Sequence, residues 1–176
     1  YIMNNNNKYL SKLNKLIKII GPSGPKTYIL IGSMVLYLYK LRLKDIITAK
    51  YRNPNDIDLY CTPEFYKTIV PKDYKEQKYT INYPKIGIVD FYLCNKKIIF
   101  KNAVNFENIV YCINLDDLLH QKNEDLMKLN KDISQLYFDI NFISKLILLK
   151  FSLKNKNNLD KKTADLVQQQ LQESVI

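Results

Sequence analysis

The chain has 176 residues (20.8 kDa), of which 47% are hydrophobic and 25% charged, with a formal net charge of +10 and a pI near 9.3. That size suits one domain with helical extensions, and that balance of apolar and charged residues excludes wholesale disorder. No run reaches the roughly 18 apolar residues of a membrane-spanning helix, and the start YIMNNNNKYLSK lacks the basic, apolar, small-residue order of a secretory signal, so the expectation is an intracellular protein with no membrane role.

In chain order, residues 1–8 hold the polar tract Asn4 to Asn7 and read as a disordered lead-in, and an opening Tyr1 suggests trimming. From Tyr9 to Ile20, Leu10, Leu13, Leu16, Ile17 and Ile20 recur at helical spacing until GPSGP stops the helix. Thr27 to Ile31 reads as a buried strand ending at Gly32, and Ser33 opens a second helix, SMVLYLYKL. A polar segment from Lys44 to Asn55 leads into the strand DIDLYC. Thr62 then caps a short helix that starts at Pro63 and runs to Val70. Lys78 to Tyr83 and Lys85 to Leu93 read as strands, and Lys97 to Phe100 as a hairpin partner across Cys94 to Lys96.

Past Asn114 the pattern is helical. LDDLLHQ forms one helix, and Ile133, Leu136, Ile140, Ile143 and Ile147 form the stripe of a longer one. The domain reading is therefore a core over 9–112, a helical part over 113–154 and a polar, Gln-rich tail over 155–176. The fold class expected is α/β (α+β), with a small mixed sheet carrying the acids and helices flanking it.

Three cysteines, Cys61, Cys94 and Cys112, are too few and too far apart for a disulfide framework or a zinc site, and read as small buried hydrophobes. The positive charge favours polyanionic partners. The lysines are spread along the chain, however, and codon drift toward Lys, Asn, Ile and Tyr explains much of the same charge.

The chemistry concentrates in the acids. Side chains alternate on a strand, so Asp56 and Asp58 share one face about 7 Å apart along it, while Ile57 and Leu59 share the other. Two like charges so close need protonation or a cation, and paired carboxylates are hard oxygen ligands suited to Mg²⁺. A half-exposed strand can carry the same pattern with no ion. Ile31-Gly32-Ser33 lies at a strand-to-helix turn, where glycine allows close backbone approach and the helix start favours phosphate; the plainer reading of Ser33 is an N-cap. Asp90, alone in IVDFY, completes a set of three carboxylates if its strand lies beside DIDLYC, and otherwise faces water from an edge.

Gly32-Ser33, then Asp56-Ile57-Asp58, then Asp90, each in strand context, resembles the nucleotidyltransferase superfamily typified by DNA polymerase beta, over roughly Thr27 to Leu93. IGSMVLYLY with RNPNDIDLYC is especially similar to the small nucleotidyltransferases of abortive-infection toxins and their phage and viral relatives, in which an arginine precedes the aspartate pair, as Arg52 does here. The interval from Ser33 to Asp56 is longer than in the shortest members.

The resemblance implies that Asp56 and Asp58 bind two Mg²⁺ ions, with Mn²⁺ as an alternative. It further implies that Asp90 binds the second ion and helps deprotonate an acceptor hydroxyl, and that Gly32 and Ser33 hold the β and γ phosphates. It also makes Lys122 and Lys131 candidates to reach the nucleotide, although a solvated helix lysine is the plainer reading of each. The activity implied is transfer of a nucleoside monophosphate from a triphosphate to a hydroxyl of an RNA, DNA or protein acceptor. A small polymerase and a catalytically silent nucleic-acid-binding module are the alternatives.

Overall fold

The computed structural model describes residues 7–43, 53–128 and 133–154, with side chains as far as Lys150. Arg52, Lys131 and the expected tail lie outside the described residues. The chain divides into two compact units, Tyr1–Val35 with Pro54–Asn114, and Leu36–Asn53 with Leu115–Ile176.

The first unit carries every described strand in one mixed sheet, as the sequence led one to expect. Helix α1 (Lys8–Ile20) starts where the Asn7 side chain accepts hydrogen bonds from the Tyr9 and Leu10 amides, and it buries Leu10, Leu13 and Leu16. It ends at Gly21, whose φ of +89° suits glycine and whose amide donates to the Ile17 carbonyl. Strand β1 (Tyr28–Ile31) is buried throughout and runs straight into helix α2 (Gly32–Arg42).

Strand β2 (Ile57–Cys61) alternates as its sequence demands: Ile57, Leu59 and Cys61 are buried while Asp58 and Tyr60 are half-buried. Thr62 then caps α3 (Pro63–Ile69), accepting from the Phe65 amide and donating to the Lys26 carbonyl. Strands β3 (Lys78–Tyr83) and β4 (Gly87–Leu93) form an antiparallel pair, and β5 (Val104–Phe106) and β6 (Val110–Cys112) form another.

The sheet order is β3-β4-β2-β1-β6-β5, with β2 and β4 parallel, β1 and β2 antiparallel, and β1 and β6 parallel. β4 is therefore an interior strand, which removes the alternative of an edge aspartate at Asp90. On the apolar face of β2 and β4, Leu59 lies opposite Phe91, both fully buried.

Two sequence expectations are corrected. Lys97 to Phe100 is not a hairpin strand but part of helix α4 (Lys97–Lys101), which buries Phe100 and leaves Ile98 56% exposed. Its β-branched isoleucines favour a strand by propensity alone, but a single turn that buries one aromatic side chain satisfies the position better. Strands β5 and β6 were not anticipated.

The second unit is helical where described. Helix α5 (Leu115–Met127) packs against α6 (Ile133–Lys154). No described helix is long and apolar enough to cross a membrane. The three cysteines are free and buried, as the sequence implied.

Candidate metal centre

Register gathers the acids. Asp58 and Asp90 are direct partners across the parallel β2–β4 pair, and Asp56 lies two residues before Asp58. One carboxylate oxygen from each of Asp56, Asp58 and Asp90 lies within 4.8 Å of the others. Asp56 and Asp58 are half-buried and Asp90 is buried, so water and substrate oxygens can reach two of the three.

The same register puts Thr80 of β3 opposite Asp90, and Lys78 opposite Tyr92. Thr80 donates from Oγ1 to Asp90 Oδ1 at 2.5 Å, and the Lys78 ammonium lies 2.7 Å from Asp90 Oδ2. The Tyr92 hydroxyl donates to Oδ2 at 3.4 Å, and Tyr60 packs edge-on against the Tyr92 ring. Burial first, and then the charges of Asp58, Asp90 and Asp56, push the Tyr92 hydroxyl well above its ordinary pKa, so it stays protonated and remains a donor. Lys78, Thr80 and Tyr92 were not singled out from the sequence. Lys78 and Thr80 alternate onto one face of KYTINY, but the facing of two strands depends on register, which the sequence does not state.

Gly32 is fixed by this cluster. Its φ is +72°, and a Cβ there would collide with Asp58 Oδ2 and come within 3.2 Å of Asp58 Cγ. The Asp58 carboxylate thus fills the space that a side chain at the start of α2 would need. Ser33 follows as a buried residue, 4% exposed. The strand-to-helix turn and the acid strand expected from the sequence are therefore in contact.

The donor set suits a hard divalent cation. Three carboxylates converge, two of them half-open, and a cationic group of the chain already sits on one of them.

Lys122 is not a solvated helix lysine. Its side chain is 11% exposed and its ammonium lies 2.9 Å from Oδ2 of the buried Asp139, on α6. His120, by contrast, is on the surface beside Glu124. Compared with protein-family models, curated proteins and solved structures, the chain matches none.

Proposed function

We propose that the chain is a divalent-cation-dependent nucleotidyltransferase whose centre is Asp56, Asp58 and Asp90, with Gly32 and Ser33 on the phosphate side. The observation that carries this reading is the convergence of three carboxylates, from β2, the bend just before it and the adjacent β4, against a positive-φ glycine at a strand-to-helix turn.

In this reading Asp56 and Asp58 hold both ions and Asp90 holds the second. When bound, two Mg²⁺ ions would supply stabilisation of charge on the attacking and leaving oxygens. The acceptor hydroxyl oxygen forms its bond to the α-phosphorus while the bond to the bridging oxygen breaks and pyrophosphate leaves, and the hydroxyl proton passes to the Asp90 carboxylate. Thr80 and Tyr92 orient that carboxylate through their hydrogen bonds. The Gly32 backbone leaves space at the helix start for phosphate oxygens. The net charge of +10 suits a nucleoside triphosphate and an RNA, DNA or protein acceptor.

One observation favours the rival reading, a catalytically silent binding module: Lys78 already neutralises Asp90. The test is incubation of the chain with α-labelled nucleoside triphosphates and Mg²⁺, in separate reactions with RNA, a primed DNA template and cellular protein. The expected result is label on one acceptor, lost without Mg²⁺ and in the Asp56→Ala, Asp58→Ala double variant. Label on no acceptor, or equal labelling by the double variant, contradicts the proposal.

A further inference from the structure

We infer that Lys78 is the resident cation of the acid cluster, and that a divalent ion binds by displacing its ammonium from Asp90. The inference rests on the metal-binding reading above and adds to it a residue and a step.

Both Asp90 oxygens are already engaged, Oδ1 by Thr80 and Oδ2 by Lys78 and Tyr92. A buried carboxylate beside two others is costly without positive charge nearby, and among these contacts Lys78 supplies it. The two partners differ in their access to water. The Lys78 side chain is 48% exposed and that of Asp90 6%, so the ammonium can withdraw into solvent whereas the carboxylate is held by its strand. The ammonium also lies over the Tyr92 ring, 5.3 Å from its centroid, a cation–π contact that is weak at an exposed site and that it gives up on leaving.

A flexible four-carbon stem lets the ammonium leave while the β3–β4 ladder stays paired. Thr80 stays on Oδ1 and keeps the carboxylate from turning. An ion approaching Oδ2 therefore competes with one ammonium rather than with the sheet. Asp90 is charge-compensated before the ion arrives, and the ion's affinity is lowered by the strength of the pair it breaks.

The test is Mn²⁺ binding to the full chain, followed through the free-ion electron paramagnetic resonance signal, for wild type, Lys78→Met and Lys78→Arg. The expected result is about fivefold tighter binding by Lys78→Met and no gain by Lys78→Arg, which keeps the charge. Without metal, Lys78→Met should also melt lower than wild type, and Mn²⁺ should restore it. Equal or weaker binding by Lys78→Met, or an equal gain by Lys78→Arg, overturns the displacement. If that equal binding is lost in the Asp56→Ala, Asp58→Ala double variant, the metal reading still stands. No binding by any of the chains overturns both. Binding by Lys78→Met alone overturns the displacement, because the pair then bars the ion from the natural chain, and assigns that chain to the silent reading.

Discussion

Two lysine–aspartate pairs, one in each compact unit, have nearly the same length and opposite characters. Lys78–Asp90 spans 2.7 Å with the lysine half in water, and Lys122–Asp139 spans 2.9 Å with both partners buried. Distance is therefore a poor guide to what an ion pair does, whereas the exposure of the more mobile partner decides whether the pair can exchange. The first pair can open without exposing its sheet. Opening the second takes an ammonium away from a fully buried carboxylate, whose helix neighbours Leu136 and Ile143 are buried too.

The contrast is tested most strongly by removing each lysine. Lys122→Met should destabilise by roughly 3–5 kcal/mol, because the buried Asp139 carboxylate would lose the ammonium 2.9 Å from it, and adding Asp139→Leu should recover most of the loss. Lys78→Met should cost less, about 1–2 kcal/mol, since its ammonium is half exposed and Thr80 and Tyr92 still donate to Asp90. Urea denaturation measures both. Comparable losses would mean that the two pairs do not differ in kind.

Next in size is a pair of glycines. Gly32→Ala should cost roughly 1–3 kcal/mol and also abolish Mn²⁺ binding, because the new methyl displaces the Asp58 carboxylate. Gly21→Ala carries similar backbone strain at φ +89° but meets no atom within 4 Å, so it should destabilise while leaving Mn²⁺ binding intact. Calorimetry with and without Mn²⁺ separates strain from collision. Smaller still, Thr80→Val should cost about 1 kcal/mol and weaken Mn²⁺ binding by loosening Asp90.

A separate effect is confined to alkaline pH. Burial, then the neighbouring Cys94, pushes the Cys61 thiol from its ordinary 9.0 up to about 12. The folded state therefore keeps a proton that the unfolded chain loses, and this contribution to stability is complete below pH 9 and falls as pH rises toward 12. Thiol-reactive probes should label the native chain slowly at neutral pH, and the denaturation midpoint should decline across that alkaline window.

Much of the first unit was readable from local chemistry. DIDLYC announces its two faces by alternation, Asn7 and Thr62 cap their helices, and Gly32 sits at a turn that needs a positive φ. What escaped depends on distant partners. Strands β5 and β6 have three residues each, too short to show a period, and their turn uses Glu107 and Asn108 at positive φ rather than an Asn-Gly pair. Helix α4 looked like a strand because its two isoleucines favour one, whereas the burial of Phe100, which outweighs them, is a tertiary contact. Lys78 and Thr80 were visible as residues but not as neighbours of Asp90, and Lys122 gave no sign that Asp139 on another helix would bury it.

The most direct measurement is a crystal soaked with Mn²⁺ and a non-hydrolysable nucleoside triphosphate, read by anomalous diffraction at the manganese edge. The account predicts anomalous peaks at coordination distance from Asp56, Asp58 and Asp90, triphosphate oxygens on the Gly32 side, and the Lys78 ammonium withdrawn from Asp90. Manganese bound elsewhere, with Lys78 still seated on Asp90, would contradict it.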